Sequence, residues 1–223
     1  MLWYTQYTML TNVIAFVLGI FLYKKFPSEI KVIYYFVILG VITEIYNKIH
    51  IHFIMKNSMP VGHFYFPIVI IILGIFYIRL LKGFIKPKWI VAIISVYIIY
   101  SIINTAFIQG LFQYASVTAA LGSLILFLFS ISYFIKVMVE AKIKTLRTSP
   151  LIWINTAVLI YYSVSFFYHS FYNILYKSSL DAMYVAVNVF SLFNLLFYLI
   201  IIVGFILSAR EVPKTISENK KLH

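Results

Sequence analysis

"VIYYFVILGVITEIYNKIHIHFI", residues 32–54, is the stretch on which the fold depends. About 20 mostly apolar residues suffice to cross the hydrocarbon layer of a bilayer as a helix, and this run is long enough. Its second half nevertheless carries Glu44, Asn47, Lys48, His50 and His52. If the run crosses, the chain has seven spans and its loops alternate strictly between two sides; if it does not, that alternation fails.

The rest of the chain supports a crossing. Of 223 residues, 63% are hydrophobic and only 11% charged, too few to clothe a water-exposed surface. Aromatic residues make up 19%, and Trp3, Trp89 and Trp153 all fall at ends of apolar runs, where amphipathic rings favour the headgroup level. Besides 32–54, apolar runs occupy residues 3–23, 62–81, 89–108, 114–138, 150–174 and 182–208. Short connections rich in Pro, Gly, Ser or charge separate them: "KKFPSEIK", "MKNSMP", "LKGFIKPK", "IQGLFQ", "EAKIKTLRTSP" and "YKSSLD". The first run lacks a basic leader and a small-residue cleavage site, so it reads as a retained helix rather than a signal peptide. No internal repeat aligns the polar residues of helices 1–3 with those of helices 5–7.

The formal charge of +12 is distributed by loop, not gathered on a soluble face that could meet nucleic acid. Lys24, Lys25, Lys31, Arg79, Lys82, Lys86, Lys88, Lys136, Lys142, Lys144, Arg147, Arg210, Lys214, Lys220 and Lys221 fall on one side, 15 of the 18 basic residues. Only Lys48, Lys56 and Lys177 fall on the other. The positive-inside rule therefore predicts an all-α polytopic membrane protein of seven transmembrane helices, N-terminus outside and C-terminus cytoplasmic. The expected organisation is a single transmembrane domain over 1–208 and a short basic cytoplasmic tail over 209–223.

Glu44 lies about 18 Å along its helix from Val32 at 1.5 Å per residue, slightly beyond the midplane toward the outside. Asn47 and Lys48 share its face at i+3 and i+4, so carboxylate and ammonium could pair, with Lys48 snorkelling outward. An intramembrane carboxylate otherwise turns to the bundle interior or a wet cavity. His50 and His52 read as interfacial side chains near water, and His63 opens helix 3 in "GHFYFP". Asn155, Tyr162, Phe166 and His169 form a polar and aromatic seam on helix 6, while Asn188, Ser191, Asn194 and Tyr198 share one side of helix 7. Asn104, Gln109 and Gln113 close helix 4. Any one of these polar groups can be interhelical glue. Taken together, Glu44, Asn47, Lys48, His63, Asn104, His169 and Asn188 map to the outer half and predict a polar cavity open to the outside. The cytoplasmic half is aliphatic apart from Asn155, with basic rims suited to anionic lipid or a partner protein.

Several chemistries lack their residues. A retinal Schiff base needs a lysine in the last helix, and "AMYVAVNVFSLFNLLFYLIIIVGFILSA" has none. With no cysteine there is neither a disulfide nor a thiolate site. Glu44, His63 and His169 could supply three ligands to a hydrolytic zinc, but no HxxxH or HExxH pair supports it. No phosphate loop or GxSxG elbow occurs. No catalytic residue, metal ligand or cofactor is assigned.

"TEIYNK" in helix 2, "INTAFIQGLF" at the outer end of helix 4, "SPLIWINTAVLIYYSVSFF" opening helix 6 and "FNLLFYLIII" in helix 7 resemble a family of small, uncharacterised seven-helix integral membrane proteins of Bacteroidota. The resemblance covers most of the chain and implies the fold and a multi-pass location in the bacterial inner membrane, but no activity. It places Glu44, Asn104, Gln109, Trp153 and Asn155 at polar or aromatic motif positions; His50, His52, His63 and His169 are not part of its pattern. The expectation is thus a ligand-binding or sensory module. Its candidate binding residues are Glu44, Asn47, Lys48, His63, Asn104, Trp153, Asn155, Tyr162, His169 and Asn188. Its expected partners are the lipid bilayer, a small molecule from the outer side and a signalling protein at the cytoplasmic basic loops, with no nucleic acid. A proton-coupled small-solute transporter using Glu44 is the alternative, and a metal-dependent membrane hydrolase the third reading.

Overall fold

Apolar runs with no water to satisfy their backbone must close their hydrogen bonds internally, which a helix does and a single strand cannot. The computed structural model describes residues 3–50, 58–141 and 146–219, with side chains described for the residues of those segments from Thr8 to Arg210. Among the described residues there is no strand. Seven α-helices follow one another: α1 Trp3–Leu22, α2 Ser28–Ile49, α3 Met59–Leu80, α4 Pro87–Ile103, α5 Ser116–Glu140, α6 Pro150–Ser178 and α7 Leu180–Asn219. Proline opens α3, α4 and α6, where its missing N–H and fixed φ carry no penalty. Ala141 ends α5 in the left-handed conformation at φ 48°.

Six of the seven helices are long and apolar enough to cross a membrane, α2 being the exception. That helix carries Glu29, Lys31, Glu44 and Lys48 within 22 residues. The protein is therefore all-helical with multiple membrane-type helices. His52 and Lys56 in the α2–α3 connection, Lys142 and Lys144 in the α5–α6 connection, and Lys220 and Lys221 lie outside the described residues.

Helices α1, α2, α3, α5, α6 and α7 pack in that order around a closed ring, since α1 also packs against α7. Helix α4 lies outside the ring, against α3 and α5, and exposes Trp89, Val96, Ile99 and Ile102 on its far face.

The ends of the bundle are built differently. At the basic end, Arg79 donates to the Ser28 carbonyl, and Lys136 of α5 caps α3 by donating to the carbonyls of Leu80 and Lys82 at 2.7 and 2.8 Å. Between this end and the middle, Ile33, Leu73, Phe76, Ile154, Ile201 and Phe205 are fully buried. At the opposite end the packing is open: α7 has no buried residue between 180 and 196, whereas Phe197, Tyr198, Ile201 and Phe205 further along it are buried.

Helix α4 ends at Ile103 and continues to the expected Ile108 as a π-helical turn, Asn104–Ile108, in which the Asn104 side chain joins a polar network with Gln109 and Thr118. Helix α7 runs through the expected 209–223 tail as far as Asn219.

Candidate functional site

The open end contains a cavity of about 470 Å³, within the range that holds small ligands. The second halves of α2 and α6 meet the first halves of α3 and α7 there, with Tyr114 of the α4–α5 connection closing one side. Six tyrosines (Tyr65, Tyr114, Tyr161, Tyr168, Tyr172 and Tyr198) and four phenylalanines (Phe36, Phe66, Phe190 and Phe197) form nearly half of the wall. Thr43, Glu44, Asn47, Ser58, His169 and Asn194 are its polar members. Among the described residues, the wall has one carboxylate and no Lys or Arg.

Glu44 is the electrostatic centre. The phenols of Tyr65 on α3, Tyr161 on α6 and Tyr198 on α7 lie close enough to sense its charge. The Asn12 amide of α1 sits beside it, but no contact between the two meets hydrogen-bond geometry. Glu44 Oε2, Asn47 Oδ1 and both polar atoms of Asn12 are buried without a hydrogen-bond partner. A buried polar atom left unpaired costs about 1–3 kcal/mol, so several in one place mark a spot where something other than this chain completes the bonding.

Gly40 makes that arrangement possible. A Cβ at this position would lie 2.6 Å from the Tyr198 hydroxyl and 3.0 Å from Asn12 Nδ2. Only a residue without a side chain lets α1 and α7 bring both groups against α2, one turn before Glu44.

Of the ten binding residues expected from sequence, Glu44, Asn47 and His169 line the cavity and the other seven do not. Lys48 does not pair with Glu44; it is exposed and reaches Met9 Sδ on α1 instead. Among the described residues the ion pair within 4 Å is Lys136 with Glu140 at the basic end. His63 bonds Thr105 Oγ1 through Nδ1 at 2.8 Å and the Gln113 carbonyl through Nε2 at 3.0 Å, latching α3 to the turn after α4.

Asn104 donates to Gln109 Oε1 and Thr118 Oγ1, and Gln109 donates to Ser116 Oγ, which also accepts from Asn173. This network braces α4, α5 and α6. Trp153 lies at the basic end, donating to the Arg147 carbonyl at 2.8 Å. Asn155 accepts from Tyr77 and donates to the Ser130 carbonyl, locking α6 to α3 and α5. Tyr162 lines a void of about 20 Å³ beneath the cavity, and Asn188 Oδ1 is buried without a partner outside the lining.

The expected α6 seam exists, since Asn155, Tyr162 and His169 are all buried, but below His169 it faces α3 and α5. The neighbouring stripe of Tyr161, Tyr168 and Tyr172 faces the cavity. His169 joins the two surfaces: Tyr114 OH lies 2.7 Å from its Nδ1. Burial holds the Tyr114 phenol well above the usual tyrosine range, so it stays protonated. His50, expected at a wet interface, is buried instead, stacked on Tyr46 at 5.4 Å.

Sequence reasoning missed Asn12 and the tyrosine wall. A lone Asn in the middle of an apolar α1 was the available signal for the first, and Tyr161 and Tyr168 at i, i+7 for the second.

Among the described residues no three His, Asp or Glu side chains converge as a metal-binding set. His63 and His169 are each committed to other partners, so with Glu44 they do not form the ligand triad considered from sequence. Chemically, an acidic group among aromatic faces, with no competing cation in the described wall, suits an organic ammonium ion. No family model, curated protein or solved structure matches the chain.

Proposed function

We propose that the protein is a seven-span receptor-like module of a bacterial inner membrane that binds a small organic cation in its outward-facing cavity. The observation that carries this reading is the Glu44 carboxylate, one oxygen buried and unbonded, in an aromatic wall whose described residues include no Lys or Arg. An ammonium group would supply the missing charge, and tyrosine faces would attract it by their quadrupoles.

A seventh crossing by α2 is supported by its 22 residues, about 33 Å at 1.5 Å per residue, and by its packing between α1 and α3. With that crossing, the charge asymmetry puts the cavity on the outer side and the N-terminal end of α1 outside.

Occupancy can be transmitted by α7. It contributes Met183, Val187, Phe190, Asn194, Phe197 and Tyr198 to the cavity and continues unbroken to the basic end. A protein docked on the basic loops would sense its displacement. Beneath the cavity the bundle is filled by Ile33, Leu73, Tyr77 and Ile154, all fully buried, which favours reception over passage of solute.

The test is charge selectivity. Purified protein in nanodiscs, titrated with choline and with its neutral isostere 3,3-dimethylbutan-1-ol, should bind the first saturably and the second at least tenfold more weakly. Equal affinity would defeat the cation reading.

A further inference from the structure

The seam between α6 and α7 faces two environments. Tyr168 of α6 and Phe190 of α7 stack with ring centroids 4.4 Å apart and planes within 9° of parallel. Both rings line the polar cavity, and both also line a second space, a groove of about 320 Å³ on the outside of the bundle whose other members include Val164, Phe171, Ala186 and Val189. Residues around that groove are among the most lipid-like of the surface: Phe167 is 60% exposed, Phe171 50% and Val189 45%. One pair of rings therefore separates a compartment suited to a cationic head from one suited to a hydrocarbon tail.

We propose that the Tyr168 and Phe190 pair is a lateral portal and that the groove takes the alkyl chain of the cavity's own ligand. The ligand class is then an amphipathic amine: ammonium beside Glu44, chain passing between α6 and α7 into the bilayer. This rests on the cation reading above and narrows it.

The local structure permits such an opening. No residue of α7 between 180 and 196 is buried as a whole, and the link from α7 to α6 is Ser179 alone. Ring contacts line this part of the seam, Phe190 meeting Tyr161, Tyr168 and His169. A rotamer change of one ring parts the pair without disturbing the backbone hydrogen bonds of either helix.

The experiment uses N-alkyl-trimethylammonium ions, methyl to octyl, titrated into wild-type protein in nanodiscs, with partition into empty nanodiscs measured separately. Affinity referred to the lipid-phase concentration should rise from methyl to octyl. Referred to water, it should rise by more than the about fourfold per methylene that transfer into the bilayer alone supplies. Ala186→Phe, which fills the groove from α7, should keep wild-type affinity for tetramethylammonium and lose that excess; Val164→Phe fills the groove from α6 should the first variant misfold. No excess over partition in the wild type, or an excess that a folded groove-filling variant retains, overturns the portal. Failure of tetramethylammonium itself to bind is a separate result, and it removes the cation reading with it.

Discussion

Glu44 keeps one buried carboxylate oxygen without a partner, whereas Asn155, on another helix of the same bundle, engages both ends of its amide. The two should respond oppositely to substitution. Glu44→Gln removes a charge that the bundle does not compensate, so thermal unfolding should move upward, by about 2–4 °C for each kcal/mol relieved, while cation binding is lost. Asn155→Ala leaves the Tyr77 hydroxyl and the Ser130 carbonyl without their partner. Interhelical hydrogen bonds in membranes average ~0.6 and reach ~1.7 kcal/mol, so a loss of about 1–2 kcal/mol is expected, with tetramethylammonium affinity unchanged. A thermal-shift comparison of the two variants checks both signs. Glu44 was legible in sequence because a carboxylate in lipid demands an explanation. Tyr161 was not, because it differs from its neighbour Tyr162 only by the 100° turn between consecutive helical residues, and which of them meets the cavity depends on how α6 is rotated against α3 and α5. The fate of Lys48 was equally hidden: its choice of α1 over Glu44 is a matter of helix packing, not spacing.

At the level of elements, Gly40 is the point where α1, α2 and α7 must agree. Gly40→Ala would drive a methyl group into the buried Tyr198 hydroxyl and the Asn12 amide. Overpacking of this kind costs about 1–3 kcal/mol, and because Tyr198 is cavity wall, both unfolding temperature and tetramethylammonium affinity should fall together. A variant with normal binding would show that the close approach of α1 and α7 is not needed. Helix existence and approximate extent were readable from apolar run length, since a spanning backbone has few alternatives. The π-helical turn at Asn104–Ile108 and the continuation of α7 to Asn219 were not: the first is joined to a tertiary polar network, and the second lies beyond the apolar run that gave the signal.

At the scale of the whole molecule, one long helix, α7, runs from the cavity to the basic end of the bundle. The natural absence of cysteine makes the topology directly measurable. Ser58→Cys, at the cavity mouth, should react with a membrane-impermeant maleimide added outside intact cells, and Arg147→Cys only after the membrane is opened; the reverse pattern would invert the orientation. Lys142, Lys144 and Arg147 replaced together should abolish a co-purifying protein partner while leaving tetramethylammonium binding intact, and undiminished co-purification would remove the docking role of that loop. The charge bias and the expectation of a cavity beside Glu44 came from sequence alone, but most of its lining did not, because the cavity is a space left by the ring of helices rather than a property of any one of them. The most direct measurement is the tetramethylammonium dissociation constant of wild-type protein and Glu44→Gln, each in nanodiscs across pH. In the wild type, affinity should fall as acid protonates Glu44, the charged side chain facing Tyr65, Tyr161 and Tyr198 with Lys48 one turn away. At neutral pH Glu44→Gln should bind about 30-fold more weakly or worse and show no such pH dependence; wild-type affinity in that variant would contradict the account.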